Sequence, residues 1–276
     1  MLAIGLLSLL FLGYLGMYHL YGKFLARRIF KISSERITPA VEMEDGRDYV
    51  PTKKQVIFGH HFTSIAGTGP IVGPAIAIIW GWVPAILWVF LGSLVMGAVH
   101  DFGSLVISLR NKGKSISDYT AKYINNRTRF LFFLIVFLEL WIVISVFGLV
   151  IASIFKIFPS SVIPVWFQIP IAIALGFALK KKKVNLTVST IIAVAVMYLT
   201  VVVGRFLPLE MPDLWGIPST GLWTILLLIY AFIASVLPVT TLLQPRDFIN
   251  AYQLVVAMGI IVLGVLISGI MGDLEM

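Results

Sequence analysis

Eight apolar stretches of 18 to 27 residues occupy most of this sequence. About 20 apolar residues in a helix cross a hydrocarbon core of about 30 Å, so each stretch is close to spanning length. Charged residues make up only 12% of the chain, whereas soluble domains average about 25%, so the excess apolar surface must face lipid. The stretches are Leu2–Tyr21, Val56–Trp80, Val83–Leu109, Phe130–Phe155, Val162–Leu179, Val184–Phe206, Leu222–Leu243 and Tyr252–Met271.

These stretches predict an all-α fold, a polytopic membrane helix bundle with about eight transmembrane helices. Lipid cannot hydrogen-bond to free backbone groups, so a spanning segment must be a helix or part of a closed barrel. The alternating polar and apolar pattern of barrel strands is missing from the sequence.

Basic residues are distributed very unevenly between alternate loops. The loops after the first, third, fifth and seventh stretches hold 19 of the 21 lysines and arginines, including the run Lys180–Lys183. Because cytoplasmic loops are enriched in basic residues, the sequence predicts cytoplasmic basic loops and an external N-terminus. The net charge of +8 is therefore a topology signal, and no nucleic-acid partner is predicted.

The second stretch contains an unusual segment, GHHFTSIAGTGPIVGP at positions 59–74. Pro70 and Pro74 remove backbone donors, and Gly67 and Gly69 ease departure from helical geometry. We expect a helix interrupted inside the membrane, with a half-helix N-terminus that attracts anions. Transporter binding sites are often built this way, although a structural kink with close helix packing is the alternative.

A weaker candidate for an interrupted helix lies at positions 234–241 in the seventh stretch, where one proline and three hydroxyl residues occur together. It comes five stretches after the first interruption and runs in the opposite direction. Two such helices are expected of a five-plus-five inverted repeat. The stretch Leu2–Tyr21 is then an additional helix before the first repeat.

Ionisable residues inside apolar stretches are costly and point to function. Asp101 and Glu139 are expected about 14–15 Å from the cytoplasmic edge at 1.5 Å per helical residue. Histidine changes charge near neutral pH, so an ion- or proton-coupling site is one interpretation, and a buried pair that fixes helix packing is the other. The candidate coupling residues are His60, His61, His100, Asp101 and Glu139.

The polar group Gln244, Arg246 and Asp247 follows the seventh stretch. A capped turn with an exposed ion pair would account for it, and a gating contact is the functional alternative.

Three segments resemble the carbon starvation protein A family of bacterial and archaeal inner-membrane transporters. They are the segment 59–74, WGWVPAILWVFLGSLVMGAVHDFGSL at 80–105, and LPV…LLQPRD at 237–247. The resemblance implies proton- or ion-coupled uptake of small nutrients, with peptides and pyruvate as substrates. It also implies a LeuT-like inverted-repeat architecture in the cell (inner) membrane.

The same resemblance implies a substrate site at the two interrupted helices. Its residues would be Thr63, Ser64, Gly67, Thr68, Gly69, Pro70, Ser235 and Pro238. The predicted single transmembrane domain, 1–276, comprises an extra helix (1–21), a basic cytoplasmic loop (22–55), a first five-helix repeat (56–206) and the start of a second repeat (218–272). Because family members are longer, we expect either a truncated or split product or a chain that works with a second chain supplying the missing helices.

The predicted function is therefore a secondary active transporter, or half of one. Its partners would be a small-molecule substrate, a proton or sodium ion and membrane lipids. No cofactor or metal is predicted, and the chain is not expected to be an enzyme. A channel, a membrane sensor or an intramembrane metal-dependent enzyme are the alternatives.

Overall fold

The computed structural model describes residues 2–180 and 185–271, and within those residues the fold is helical, with no β-strand. Within the described residues, eight helical segments are long and apolar enough to cross a membrane, which confirms the predicted class and number of spans. They are Ile4–Ile29, Lys54–Trp80, Trp82–Arg110, Asn126–Ile157, Pro159–Ala178, Leu186–Phe206, Ser219–Val236 and Leu243–Met271. Positions 1, 181–184 and 272–276, which belong to the predictions above, lie outside the described residues.

Twelve α-helices are present in the described residues. In chain order they are α1 (Leu2–Met17), α2 (Pro39–Glu42), α3 (Lys54–Ile65), α4 (Thr68–Ala77), α5 (Trp82–Gly92), α6 (Ala98–Arg110), α7 (Ile116–Tyr123), α8 (Asn126–Ile157), α9 (Val162–Lys180), α10 (Leu186–Phe206), α11 (Ser219–Val236) and α12 (Leu243–Met271). Wider π-helical turns extend α1 as far as Ile29 and join α5 to α6. The first helical segment is thus longer than predicted, and Arg27 and Arg28 lie on it rather than in a loop.

The helices form two compact units. The first contains the described residues of Met1–Pro51, Thr68–Leu134 and Val256–Met276, and the second contains Thr52–Gly67 and Ile135–Val255.

In the first unit, Tyr14 of α1 contacts α5. Its hydroxyl donates to the carbonyl of Val89 at 3.1 Å, lies 2.9 Å from Ser93 Oγ, and its ring packs edge-on against Phe90. In the loop that follows, Asp45 accepts backbone N–H bonds from Arg47, Asp48 and Tyr49. These bonds, that of Tyr49 foremost, lower the pKa of the Asp45 carboxyl below its ordinary value.

The core of the second unit lies where α3, α9, α10, α11 and the first turns of α12 meet. Its buried residues are Val56, Ala172, Leu175, Leu186, Ala193, Met197, Ala234, Leu242, Phe248 and Ile249. Lipid is as apolar as these side chains, so close van der Waals packing rather than burial from water holds such helices together.

Two glycines allow the start of α12 to pack closely between its neighbours. A Cβ on Gly59 of α3 would lie 2.8 Å from Phe248 Cδ2 and 3.1 Å from Phe248 Cα. A Cβ on Gly176 of α9 would lie 3.0 Å from both Pro245 Cγ and the Thr241 carbonyl oxygen. Small residues at helix interfaces allow this approach, and here they bring the polar residues of α12 next to α3.

The predicted interruption of the second span is present. Helix α3 ends at Ile65, Ala66 has non-helical angles (φ −78°, ψ 44°), and α4 begins at Thr68. The break thus precedes the prolines. Pro70 lies in the first turn of α4, where its missing N–H has no helical partner to lose, while Pro74 is inside the helix.

The predicted course of the seventh span is wrong at its C-terminal end. Helix α11 stops at Val236, and residues 237–242 connect it to α12. Pro238 therefore separates two helices instead of interrupting one, and its carbonyl accepts a turn bond from Thr241 N at 2.8 Å. Gln244, Arg246 and Asp247, predicted to follow the span as a loop, lie in the first turns of α12.

We expect Gly59→Ala to lower the free energy of unfolding of the detergent-purified protein by about 1–3 kcal/mol, the usual effect of overpacking, and thereby to lower its melting temperature. The added methyl group has no space because Phe248 is buried and its Cα is also close. Gly73→Ala is the matched control, since nothing lies within 4 Å of a Cβ at that helical position. Equal melting temperatures for the two variants would contradict this interpretation of the packing.

Candidate functional site

A cluster of ionisable side chains occupies the contact between α3 and α12 in the second unit. His60 Nδ1 lies 2.8 Å from Asp247 Oδ2. The Asp247 side chain is only 8% exposed, whereas that of His60 is 32% exposed. A buried carboxylate is stable only when it is paired and hydrogen-bonded, so the geometry makes His60 part of what keeps Asp247 in place.

Arg246 is the second partner of the Asp247 carboxylate. Its Nε and Nη2 donate to Asp247 Oδ1 at 3.2 and 3.0 Å. Its Nη1 donates to the hydroxyl of Tyr230 on α11 at 3.0 Å. The two carboxylate oxygens are thus divided between a fixed cation and a histidine that can gain or lose a proton.

Helix geometry explains why α3 makes two contacts with Asp247. His60 and Thr63 are three residues apart and share one helix face. The Thr63 hydroxyl donates to the Asp247 carbonyl at 2.7 Å. Side chain and backbone of Asp247 are therefore both held by the last two turns of α3 before the interruption.

A cavity of about 420 Å³ lies beside this cluster, between α8, α9 and α11. Most of its wall is apolar, and its polar lining consists of Gln168, Tyr230 and Arg246 with the indole of Trp166. Trp166 packs edge-on against Tyr230, with ring centroids 5.9 Å apart, and the Gln168 amide bonds to Asn250. A mostly apolar cavity with a few convergent polar groups is the usual form of a small-molecule site.

The structure unites residues that the sequence placed in separate groups. His60 was predicted as a coupling residue, Thr63 as a substrate residue, and Arg246 and Asp247 as gating residues, yet the four form one hydrogen-bonded cluster. The alternative of an exposed ion pair at Arg246 and Asp247 is wrong, because Asp247 is buried.

Other predicted substrate residues lie near this cluster along the chain without joining its bonds. Ser64 donates to the His60 carbonyl of its own helix, and the Ser235 hydroxyl donates to the Phe232 carbonyl. Gly67, Gly69 and Pro70 lie at the interruption, and the side chain of Thr68 is outside what the structure describes. Gln244 is half-buried, and its backbone N–H bonds to the Val239 carbonyl.

The remaining predicted coupling residues have different surroundings. His100 Nδ1 lies 2.9 Å from the neighbouring Asp101 Oδ1 in the first unit, and both side chains are largely exposed. Glu139 on α8 is exposed, as is His61. The described residues contain no group of three histidine, aspartate or glutamate side chains that could hold a metal ion.

Sequence reasoning missed Tyr230, Trp166, Gln168 and Asn250. Gln168 carried a usable signal, since it is the one amide in the apolar stretch 162–179. Trp166 lies in the first turns of its apolar stretch, where a tryptophan is typical of an interfacial anchor, and a single tyrosine within an apolar helix, such as Tyr230, indicates nothing by itself.

Eight apolar helices, an interrupted span and a buried ionic cluster beside a small cavity are typical of multi-pass membrane transporters. The chain belongs to the carbon starvation protein CstA family, whose model matches residues 2–276. This confirms the resemblance found in the sequence.

Curated relatives of this chain are named as transporters. It is 34% identical over 270 residues to the peptide transporter CstA of Campylobacter jejuni, covering 94% of this chain and 37% of the relative. It is 34% identical over 258 residues to the peptide transporter CstA of Bacillus subtilis, covering 91% and 42%. It is 32% identical over 259 residues to the pyruvate/proton symporter BtsT of Escherichia coli, covering 91% and 36%.

The chain therefore spans between a third and a half of the length of these relatives. No solved structure matches it.

We expect His60→Gln and Asp247→Asn to be non-additive in their effects on the free energy of unfolding. Because the two side chains touch, the coupling energy should fall between about 0.5 and 3 kcal/mol, measured by a double-mutant cycle in detergent. The control cycle pairs His61→Gln with Asp247→Asn. His61 is exposed, so these effects should add to within about 0.5 kcal/mol. Additive behaviour in both cycles would contradict the contact.

Proposed function

We propose that this chain forms the substrate and coupling site of a secondary active transporter that takes up small carboxylate-bearing nutrients, such as peptides or pyruvate, together with protons. The observation that carries the proposal is the buried Asp247, shared between His60 and Arg246 at the edge of a cavity. The names of the relatives, two peptide transporters and a pyruvate/proton symporter, agree with it.

The pair His60–Asp247 has the chemistry of a proton-coupling group. A neutral His60 can donate from Nδ1 to Asp247 while its Nε2 accepts a proton from the aqueous path. The protonated ring then forms an ion pair with the carboxylate, which is stronger at low dielectric than in water. One proton would thus change the strength of the bond between α3 and α12.

Arg246 supplies the chemistry for substrate recognition. A guanidinium has five N–H donors, and three of them bond to Asp247 and Tyr230. Arg246 also lines the cavity, where the remaining donors could bind a substrate carboxylate through charge-assisted bonds. Pyruvate and a peptide differ in size and polarity, but each bears a carboxylate.

The location of the cluster suggests how binding could drive a conformational change. His60 and Thr63 lie just before the interruption at Ala66 and Gly67, and Arg246 and Asp247 lie just after the connection 237–242. Non-helical backbone at such places lets half-helices move. Formation and rupture of the α3–α12 bond would act as the gate, and Gln244 would take part in it. The substrate path would run along residues 63–70, Ser235 and Pro238.

The distribution of basic residues supports an orientation of the chain in the membrane. We propose basic loops in the cytoplasm of a cell whose inner membrane holds the chain, with the N-terminus outside. Since the chain spans less than half of each relative's length, further helices from a second chain remain part of the proposal.

We expect an inward proton gradient to stimulate uptake of labelled pyruvate or dipeptide into proteoliposomes, and His60→Gln to abolish the stimulation. Glutamine is polar and similar in size to histidine, but its amide does not take up a proton near neutral pH. His61→Gln is the matched control and should retain it. A sodium gradient in place of the proton gradient tests the other ion. Uptake that survives both His60→Gln and a protonophore would refute proton coupling at this pair.

We expect pyruvate to quench the fluorescence of Trp166, and Arg246→Lys to weaken this binding about tenfold. Lysine keeps the charge but loses the planar fork that binds carboxylates through two parallel bonds. Trp166→Phe identifies the signal that comes from the cavity. Pyruvamide, which has no carboxylate, provides the control on the ligand side. Equal affinity of the wild type for pyruvate and pyruvamide would exclude Arg246 as the carboxylate-binding group.

A further inference from the structure

A second cavity, of about 540 Å³, lies in the first unit where the third candidate span ends and the fourth begins. Its walls come from the last three turns of α6, from α7, and from the first two turns of α8. Arg110 is the last residue of the third span and Asn126 the first of the fourth. The cavity therefore lies at the edge of the membrane that the basic loops mark as cytoplasmic.

This cavity has an apolar part and a polar part. Its apolar lining includes Ile107, Ile116, Ile124 and Phe132, and its polar lining includes Arg110 and several hydroxyl groups. Ser104, Tyr119, Thr120, Tyr123 and Thr128 contribute the hydroxyls. Burial raises the pKa of Tyr119 above its ordinary value, so its hydroxyl keeps its proton and can donate a hydrogen bond.

Polar contacts connect α7 to the elements on either side of it. Asp118 binds Lys114 at 3.0 Å and Arg129 at 2.9 Å. Lys122 Nζ donates to the buried Asn111 Oδ1 at 3.0 Å. These bonds join α7 to the segment that follows α6 and to the first turn of α8, the elements that surround the cavity.

Positive charge greatly exceeds negative charge around the cavity. Residues 110–129 contain six basic side chains and one carboxylate, that of Asp118, and a second carboxylate, that of Asp101, lies 2.9 Å from Nδ1 of the cavity-lining His100. Two of the six share Asp118, which leaves four basic side chains without a carboxylate partner among the described residues, Arg110 among them. A long apolar wall that ends at an arginine and hydroxyls matches a ligand with an acyl chain and an anionic head.

We infer that this cavity binds an anionic phospholipid of the cytoplasmic leaflet. The acyl chain would lie along Ile107, Ile116 and Phe132. The phosphate would accept hydrogen bonds from Arg110 and neighbouring hydroxyls. Basic cavities between membrane helices on the cytoplasmic face bind such headgroups, and arginine is well suited to phosphate. The lipid would stabilise α7 against α6 and α8.

The test measures lipid binding to the whole purified chain by native mass spectrometry and by thermal shift. Phosphatidylglycerol is compared with phosphatidylcholine of the same acyl chains. We expect the wild type to prefer phosphatidylglycerol, and Arg110→Gln to weaken its binding about fivefold, the effect of one basic residue near a charged membrane surface. The matched control is Arg127→Gln, which removes the same charge from an exposed residue in the first turn of α8 that does not line the cavity.

Arg110→Gln also removes the hydrogen bond that Arg110 Nη2 donates to the Phe30 carbonyl. A second variant is therefore needed to distinguish weaker lipid binding from misfolding. Ile107→Trp keeps every charge and fills the apolar wall, and we expect it to reduce phosphatidylglycerol binding as well. Equal binding of the two lipids, or equal losses in Arg110→Gln and Arg127→Gln, would overturn the inference. Undiminished phosphatidylglycerol binding by Ile107→Trp would also overturn it. Displacement of the lipid by inorganic phosphate alone would overturn it too, because that result would indicate a free-anion site.

Discussion

Within the hydrocarbon core no water is available to hydrogen-bond to a backbone amide or a carboxylate. This constraint determines how the polar groups of the second unit are paired. Wherever the chain leaves helical geometry in an apolar run, its polar groups need partners from the protein. The connection 237–242 closes on itself through Thr241 and Gln244. Past the connection, Asp247 obtains partners on both carboxylate oxygens and on its carbonyl. The polar cluster and the irregular backbone thus occur together for one physical reason.

Close packing and polar pairing depend on each other at the start of α12. Gly59 lets Phe248 approach the backbone of α3, and this approach brings Asp247, the preceding residue, within reach of His60 and Thr63. A larger residue at position 59 would move α12 outwards and leave a buried carboxylate with fewer partners. In this way Gly59, which has no side chain, allows the close approach that brings the ionic cluster together.

The sequence predicted the class of fold and the number of spans because both follow from the length and composition of apolar runs. The interruption at Ala66 and Gly67 was also predictable, since glycines and prolines are concentrated there. The end of the seventh span was not. Leu237, Leu242 and Leu243 keep the run apolar beyond the last residue of α11, so hydropathy gave no sign of where the helix stops.

The contents of the site were only partly predictable. His60, Thr63, Arg246 and Asp247 stood out because polar residues are rare in such a chain. Their pairing joins positions 187 residues apart, which no local pattern indicates. Tyr230 and Asn250 gave no signal, because one hydroxyl or amide near an apolar run is ordinary. The structure also changed the interpretation of Arg246 and Asp247. The two residues would form a solvated turn if α12 began after them, but they lie in its first turns and Asp247 is buried.

The neighbouring positions of Arg246 and Asp247 have an electrical consequence. Together they carry no net charge, so a proton on His60 leaves the cluster with one positive charge, which a bound carboxylate would cancel. Under the proposed function, the empty deprotonated site and the site loaded with one proton and pyruvate are both electrically neutral, whereas one proton and a zwitterionic peptide would leave one positive charge. A voltage across the membrane does work only on net charge. Pyruvate transport would therefore be electroneutral and driven by the pH difference, whereas peptide transport would also respond to the membrane potential.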